Sequence, residues 1–353
     1  MHSQRKSDHL RICLEEDISF KGITTGLEEY SLIHQALPEM SLEEVDLSTA
    51  FMGKPMRAPL LVSAMTGGTE EAREINRNLA TAAQTLGIAM SVGSQRAAID
   101  NRTLAATYQV RDLAPDIVLL ANLGAVQLNY GYGLEECQQA VEMIQADALV
   151  LHLNPLQECL QEDGNTNFSG LLARIGEICR RLPVPVVVKE VGWGISEAVA
   201  RRLAEAGVRA IDVAGAGGTS WSEVEKFRAS TESARRIAES FATWGIPTAK
   251  AIRMARRGAP ETTIIASGGI RTGVEVAKSI ALGADLVALA APLLKLAVLS
   301  AEAVAERLME IARELRIAMF CTGTRNVQEL KHVSIIINHE DGFQAKERKC
   351  IHT

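Results

Sequence analysis

Short runs of aliphatic residues recur along the chain, each followed by a glycine-rich or polar break and then by a stretch of helical character. The runs are continuous, whereas alternation would indicate strands with one exposed face, so they are typical of parallel strands buried on both faces. Most of the intervening stretches are rich in Ala, Leu, Glu and Arg. The eight predicted strands are APLLVSAM (58–65), GIAMSV (87–92), DIVLLANLG (116–124), DALVLHLN (147–154), VPVVVKEVG (184–192), VRAIDVAGAGG (208–218), TTIIASGG (262–269) and ADLVALAA (284–291).

Eight strand–helix units in ~235 residues predict an α/β fold of the (β/α)8 TIM-barrel type, which takes about 250 residues. A doubly wound sheet is the alternative, but no G-x-G-x-x-G motif opens a helix after the first strand. We therefore expect a barrel over residues 56–335, an N-terminal cap over 1–55 and a polar tail over 336–353. The wide spacing between the sixth and seventh runs predicts an extended loop over one rim.

Composition and charge narrow the possible partners and setting. The chain has 353 residues, of which 47% are hydrophobic, and a net charge of −6, so it has no general affinity for nucleic acid and must hold an anion with a local basic cluster. Six cysteines without a C-x-x-C pair indicate neither a disulfide framework nor a zinc site and favour the cytosol. The start lacks an apolar signal sequence, and the longest apolar stretch, 286–294, is too short to span a membrane.

Polar or small residues close every predicted strand. In TIM barrels the active site lies at the C-terminal ends of the strands. Any one of these residues could be explained by the core, but the whole set predicts a site at this rim. They are Met65 and Thr66, Ser94 and Arg96, Asn122, His152, Asn154, Gln157 and Glu158, Lys189 and Glu190, Gly217 to Trp221, Gly268, Gly269 and Arg271, and Ala290 and Ala291.

The last two loops, SGGIRTG and LAAP, predict a phosphate site. Their glycines and alanines leave backbone N–H groups open to an anion, Arg271 is adjacent, and phosphate sites after strands 7 and 8 recur in TIM barrels. The alternative is that the glycines only make tight turns.

Lys189 ends the apolar run VVVK, where a cation requires an anionic partner. An internal ion pair with Glu190 is one possibility, although adjacent strand residues face opposite ways. A phosphate-anchored cofactor fits better, because a reduced flavin carries negative charge at N1. At about 4 Å and an effective dielectric constant near 20, such a pair is worth roughly 4 kcal/mol.

The N-terminal segment RKSDH offers a second anion site. Arg5, Lys6 and His9 form a basic cluster in an acidic protein, and Arg96, beyond strand 2, could join them. The alternative is a solvated basic start with no ligand.

Eight ordered motifs resemble the type 2 isopentenyl-diphosphate isomerases, from Arg5 to about residue 330. The resemblance implies a flavin-dependent barrel enzyme of isoprenoid synthesis that interconverts isopentenyl and dimethylallyl diphosphate. It also implies reduced FMN, a divalent metal, usually Mg²⁺, NADPH as reductant, and a homotetramer or octamer. The motifs are RKSDH, APLLVSAMTGG, VGSQR, ANLG, HLNPLQE, VVVKEVGWG, AGAGGTSW and SGGIRTG.

The same resemblance assigns roles to residues. Gln157 would lie beside the isoprenyl carbons and position or relay a proton, Lys189 would tune the charge of the flavin, and Glu158 would bind the metal. Reduced FMN itself would be the acid–base group. The FMN-binding residues would be Ala64, Met65, Thr66, Ser94, Asn122, Lys189, Thr219, Gly268, Gly269, Arg271, Ala290 and Ala291. The substrate-binding residues would be Arg5, Lys6, His9, Ser94, Arg96, His152, Asn154, Gln157 and Trp221.

Three other functions are compatible with a phosphate-binding barrel. A 2-hydroxy-acid oxidase needs a histidine base and an arginine after strand 6, where this chain has GAGGTSW. An IMP-dehydrogenase-like enzyme needs a nucleophilic cysteine, and Cys159 lacks the surrounding signature. A non-enzymatic phosphate-binding module leaves the polar end of strand 4 unexplained. Trp193, in VGWG, stands where the isomerase pattern has a smaller residue.

Overall fold

A computed structural model describes residues 2–338, with side chains from Lys6 onward, and its centre is a closed barrel of eight parallel strands. The strands follow one another around the barrel in chain order, and the last pairs with the first. The TIM-barrel prediction is confirmed, because each of the eight apolar runs contains one barrel strand. These strands are β4 (Leu60–Val62), β5 (Ala89–Ser91), β6 (Leu119–Gly124), β7 (Ala148–Leu153), β8 (Val186–Glu190), β9 (Ala210–Asp212), β10 (Thr263–Ala266) and β11 (Leu286–Leu289).

Fourteen α-helices of residues 2–338 surround or cap the barrel. They are α1 (His2–Glu15), α2 (Glu70–Leu86), α3 (Arg96–Asp100), α4 (Leu134–Ile144), α5 (Pro155–Leu160), α6 (Leu171–Arg181), α7 (Glu197–Glu205), α8 (Trp221–Arg228), α9 (Glu232–Glu239), α10 (Thr248–Gly258), α11 (Gly273–Ala281), α12 (Ala291–Leu299), α13 (Ala301–Cys321) and α14 (Val327–Leu330). None of those described helices is long and apolar enough to cross a membrane.

Local sequence explains where these helices begin and end, and α2 is an example. Thr69 caps its N-terminus by accepting a hydrogen bond from the Ala72 N–H, and Gly87 ends it in the left-handed conformation with φ of 63°. Ile75 and Leu79 lie four residues apart on its buried face. The helix therefore packs one apolar stripe against the barrel.

The N-terminal segment covers both ends of the barrel. The antiparallel hairpin of β2 (Thr49–Phe51) and β3 (Lys54–Met56) lies at the N-terminal end of the strands, where Lys54 pairs with Asp147 at 2.7 Å. At the opposite end, α1 packs against α8, and the N–H of Phe20 donates to the carbonyl of Gly218 at 3.1 Å. Residues before the barrel therefore form part of its mouth as well as its base.

The C-terminal part of the described chain returns to the N-terminal segment. Strand β12 (Ile335–Ile337) pairs antiparallel with β1 (Tyr30–Leu32). The first residues assigned to the polar tail, 336–338, therefore belong to or follow a strand, and residues 339–353 lie outside the described part of the chain.

The extended loop expected between the sixth and seventh strands is largely helical. Helices α8 and α9 occupy it, and α8 packs against α5 and α1 at the C-terminal rim. This insertion places charged side chains next to the strand ends.

Leu151→Ala tests the barrel core. Leu151 is fully buried in β7, and truncation leaves a cavity, so we expect the free energy of unfolding to fall by about 2–5 kcal/mol in urea unfolding. Leu37→Ala is the control, because Leu37 is 76% exposed and its truncation should change stability by less than about 0.5 kcal/mol. Equal effects of the two substitutions would contradict the assignment of Leu151 to the core.

Candidate active site at the barrel mouth

A cavity of about 310 Å³ opens at the C-terminal ends of the barrel strands, within the size range of small-molecule sites. Every residue to which the resemblance assigns a role lines it except Arg5, whose backbone lies in α1 but whose side chain lies outside the described part of the chain. Of the residues that close the predicted strands, Glu190, Gly217 and Ser220 do not line it. The lining residues that the sequence predicted are Lys6, His9, Ala64, Met65, Thr66, Ser94, Arg96, Asn122, His152, Asn154, Gln157, Glu158, Lys189, Thr219, Trp221, Gly268, Gly269, Arg271, Ala290 and Ala291.

The loops after β9 and β10 touch each other through backbone atoms alone. Gly268 and Gly269 have φ of 103° and 76°, and a Cβ at Gly268 would lie 2.0 Å from the carbonyl oxygen of Gly215. Only glycine fits this approach, which leaves the backbone of both loops facing the cavity. The N-terminus of α12, at Ala291, lies on the same wall and is the positive end of a helix dipole. This wall has the chemistry of a phosphate cradle.

Lys189 forms a buried ion pair with Asp212, with Nζ and Oδ2 separated by 3.2 Å. The alternative partner, Glu190, faces away: its carboxylate accepts the backbone N–H groups of Val191, Gly192 and Trp193 at 2.5–2.7 Å. Burial raises the pKa of Glu190 to about 7, against the lowering effect of those three hydrogen bonds. Asp212 was missed by the sequence analysis, since a single acid within an apolar run gave no separate signal.

His152 lies beside Asn122, with Nδ1 and Oδ1 separated by 2.9 Å. Burial, together with the positive charges of Lys189 and Lys6, lowers the pKa of His152 to about 4. The imidazole is therefore neutral near pH 7. A carbonyl oxygen only accepts, so in the contact with Asn122 Oδ1 the Nδ1 atom is the donor.

Asn154, Gln157 and Glu158 share one side of the turn that starts α5, because they are three and four residues apart. The Asn154 Nδ2 donates to Gln157 Oε1 at 3.1 Å and to Glu158 Oε1 at 3.0 Å. The second Glu158 oxygen accepts the Asn165 N–H at 2.6 Å. The buried Asn154 Oδ1 has no hydrogen-bond partner among the described residues, so it remains open to a ligand.

Glu225, on α8, connects three elements of the mouth. Its Oε1 accepts from Nε2 of His9 at 3.0 Å, and from Nε2 of Gln161 and Gln157 at 3.2 and 3.4 Å. Burial raises its pKa, but the hydrogen bond and charge of His9 and the charge of Arg228 outweigh that effect and hold the pKa below its usual value. Glu225 is therefore a carboxylate at neutral pH. Sequence reasoning missed it, because charged residues in WSEVEKF resemble those of an ordinary solvated helix.

The basic residues of α1 reach into the mouth as predicted. Lys6 Nζ donates to the Ser94 carbonyl at 2.5 Å and to the Tyr108 hydroxyl at 2.6 Å. Tyr108 is fully buried and was not predicted as part of the site. The ring of His9 meets that of Trp221 edge to face, with centroids 5.1 Å apart. Both basic side chains are therefore held at the mouth by hydrogen bonds to the protein.

Asn165 links Arg96 to Glu158 of α5. Its Nη1 donates to Asn165 Oδ1 at 3.0 Å, and Asn165 also holds Glu158. The buried Nε of Arg96 has no hydrogen-bond partner among the described residues. It lies 3.8 Å from Oδ2 of Asp100 in an ion pair, so Arg96 is held by α3 as well as by Asn165.

Comparison with known proteins agrees with this architecture. The family model of FMN-dependent dehydrogenases matches residues 136–337. Solved structures of mandelate oxidase with (S)-2-phenylpropionate and of a Pediococcus acidilactici (putative) lactate oxidase have TM-scores of 0.66 and 0.64 to this chain. They cover 95% and 96% of this chain and 97% and 93% of their own. At 18% and 17% identity they show the shared fold alone.

Curated relatives are much more similar. Isopentenyl-diphosphate delta-isomerases from Nostoc sp. and Synechocystis sp. are 54% and 56% identical to this chain, over 93% and 94% of it and 94% and 95% of their own lengths. The corresponding protein of Cronobacter sakazakii is 51% identical over 94% of this chain and 96% of its own length. The resemblance carried by the eight motifs is confirmed, and the chain belongs to the isopentenyl-diphosphate delta-isomerase family on an FMN-dependent dehydrogenase barrel.

Proposed function

We propose that this protein isomerises isopentenyl diphosphate to dimethylallyl diphosphate with reduced FMN and Mg²⁺, as a step of isoprenoid biosynthesis. One observation carries the proposal. A single cavity brings together a glycine-lined phosphate wall, a buried lysine, and the amide–carboxylate pair of Gln157 and Glu158. The family relationship indicates which reaction to propose, and the cavity contains residues suited to the cofactor, the substrate and the metal.

The glycine wall and Lys189 fit a flavin mononucleotide. Gly268, Gly269 and the start of α12 offer backbone N–H donors of the kind that bind a phosphate, and Arg271 lies beside them. Ser94 and Asn122 border the opposite side, where polar groups could meet the edge of the ring. Lys189 would place positive charge near a reduced, negatively charged ring.

The substrate diphosphate fits the side of the mouth formed by α1 and α3. Lys6, His9 and Arg96 are basic, and Arg96 Nε is a buried donor without a hydrogen-bond partner among the described residues. His152 and Asn154 complete this side, and Arg5 on α1 belongs to the proposal through the resemblance. A diphosphate arriving there would favour the protonated form of His152, whose charge it would offset.

The Glu158 carboxylate is suited to bind a Mg²⁺ ion that would also contact the substrate diphosphate. Among residues 2–338, no group of three or more His, Cys, Asp or Glu side chains could hold a metal alone. Mg²⁺ is commonly bound by one or two carboxylates together with substrate phosphates, so a single Glu158 is sufficient protein charge. The open Asn154 Oδ1 could accept from a metal-bound water.

Moving the double bond requires a proton to be added at one carbon and another to be removed two carbons away. The described groups that contact Gln157 are an amide and an ionised carboxylate, Asn154 and Glu225, and neither is a strong acid. When bound and reduced, the flavin would supply the missing acid–base group. Gln157 would orient the alkene and relay the second proton, while the face of Trp221 would stabilise positive charge on the substrate.

Hydroxy-acid oxidation is the strongest alternative, because the structurally similar oxidases share the barrel. The loop after β9 has Thr219 and Trp221 but no histidine or arginine where that chemistry needs a base and a carboxylate clamp. The histidines that border the cavity, His9 and His152, come from α1 and β7 and not from this loop. The isomerase reading therefore explains more of the mouth, and a binding module without catalysis leaves Gln157 unexplained.

NADPH as reductant, a homotetrameric or octameric state and a cytosolic setting are further parts of this proposal. They rest on the motif resemblance and on composition. Five cysteines within the described residues are free thiols, which is compatible with a reducing compartment.

The central test is an anaerobic assay of the purified protein with isopentenyl diphosphate, FMN, NADPH or another reductant, and Mg²⁺. We expect the protein to bind FMN and acquire the visible absorbance of an oxidised flavin, which bleaches on reduction. Isomerisation should require the reduced state without net oxidation per turnover. A protein that cannot be reconstituted with FMN would contradict the proposal, and oxidation of 2-hydroxy acids without isomerisation would favour the alternative.

Gln157→Asn tests the proton relay. Shortening the side chain by one methylene withdraws the amide from both Asn154 and Glu225, so we expect isomerisation to fall by at least about 100-fold, the usual scale for a lost proton-transfer group. FMN affinity should stay unchanged. Gln139→Asn, on the outer helix α4, is the matched control and should retain full activity. Near-normal turnover of Gln157→Asn would remove this residue from the mechanism.

Glu158→Gln tests the metal site. Loss of the carboxylate charge should raise the Mg²⁺ concentration needed for half-maximal activity and lower the maximal rate, with FMN still bound. Glu162→Gln is the matched control, because Glu162 is an exposed carboxylate four residues further along the chain. If Mg²⁺ titrations of the two variants coincide with that of the unmodified protein, Glu158 is not a metal ligand.

A further inference from the structure

Asp212 is a buried carboxylate at the end of β9 that neither the motifs nor the proposed mechanism uses. Its side chain is 5% exposed, and that of its partner Lys189 is 12% exposed. Asp212 itself does not line the cavity, whereas Lys189 does. Asp212 can therefore affect a bound ligand only by way of Lys189 or by the electrostatic effect of its own carboxylate.

The two oxygens of Asp212 have different partners. Oδ1 accepts the Ser267 hydroxyl at 2.5 Å and the Ala214 N–H at 3.3 Å, whereas Oδ2 faces Lys189 Nζ at 3.2 Å. The hydroxyl and the backbone N–H fix the orientation of the carboxylate. Oδ2 is thereby directed at the lysine, and the barrel register places Lys189 directly opposite Asp212 on the neighbouring strand.

We propose that Asp212 is a positioning residue for the flavin site, which holds the Lys189 ammonium at the cavity wall and sets how much of its positive charge acts on the reduced ring. This inference rests on the proposed function, because it requires FMN to bind beside Lys189. With Asp212 present, the pair is close to neutral as a whole. The reduced flavin is then stabilised less than it would be by an unpaired lysine.

The alternative is that the pair only stabilises the barrel. A buried ion pair adds little net stability, because the cost of desolvating both charges offsets their attraction, so stability alone gives little reason for placing one here. A pair that faces a redox cofactor has a second effect, since any imbalance in its charge shifts the relative affinity for the oxidised and reduced forms. The two explanations differ in one measurable quantity, the reduction potential of bound FMN.

Asp212→Asn separates the two explanations with little change of shape. The Asn Oδ1 can keep the Ser267 and Ala214 hydrogen bonds, while its NH₂ group replaces the oxygen that faces Lys189. The lysine charge becomes uncompensated, so we expect the reduction potential of bound FMN to become more positive. The ratio of oxidised to reduced FMN dissociation constants should rise by about tenfold, or about 30 mV for a two-electron couple.

A Lys189→Met background tests whether Asp212 acts through the lysine. Lys189→Met removes the ammonium through which Asp212 is proposed to act, so adding Asp212→Asn should then change the potential less than it does beside Lys189. Asp147→Asn is the matched control, because Asp147 pairs with Lys54 and Arg111 at the opposite end of the barrel. It should lower thermal stability without changing the potential.

The outcomes distinguish this inference from the proposed function. A protein that binds FMN and isomerises, but whose potential is the same in Asp212→Asn as in Asp147→Asn, overturns the role of Asp212 and leaves the function intact. An equal shift with and without Lys189 also overturns it. If Asp212→Asn does not retain FMN, Ser267→Ala is the second test. This substitution removes the hydroxyl that donates to Asp212, so more of the carboxylate's negative charge acts on the site and the reduction potential of bound FMN should become more negative. An unchanged potential overturns the proposal.

Discussion

The hydrogen-bond register of the parallel barrel is the constraint on which the site depends. It pairs Gly124 with His152, His152 with Lys189, and Lys189 with Asp212 across four consecutive strands. Neighbouring strands lie about 4.8 Å apart, so side chains at one level that point the same way are in contact distance. A shift of one residue in any of these strands would turn its side chain to the other face and separate the lysine from its carboxylate.

Charged side chains buried at the mouth need hydrogen-bond or ion-pair partners, and segments outside the barrel strands provide several of them. Lys6 reaches the mouth from α1 and meets Tyr108 and the Ser94 carbonyl, while His9 meets Glu225 from α8. The site is therefore assembled from the barrel, the N-terminal helix and the insertion between β9 and β10. Two buried polar atoms of residues that line the cavity, Arg96 Nε and Asn154 Oδ1, have no hydrogen-bond partner in the described chain.

The sequence could predict what its local patterns encode. Continuous apolar runs identified all eight barrel strands, and the residues at their ends identified about half of the cavity lining. Asp212 and Glu225 were not predicted as site residues, because their partners, Lys189 and His9, are far away in sequence and no local pattern links them. Trp193, an apparent departure, is buried with Phe20 and Ala216, and its backbone N–H binds Glu190, so its bulk fills space beneath the N-terminal segment. Phe20 lies in the segment that hydrogen-bonds to Gly218 at the mouth, so this packing is a tertiary contact that the local sequence does not encode.

The same assembly fixes the orientation of the Gln157 side chain. The Gln157 amide is held at both ends, since Asn154 donates to its oxygen and Glu225 accepts from its nitrogen. An amide flip would bring two N–H donors together at Asn154 and two oxygens together at Glu225, so one orientation is strongly favoured. Because the low pKa of Glu225 keeps that carboxylate ionised, the preference persists at neutral pH. An amide fixed in this way presents a polar group of defined orientation to the cavity without contributing charge.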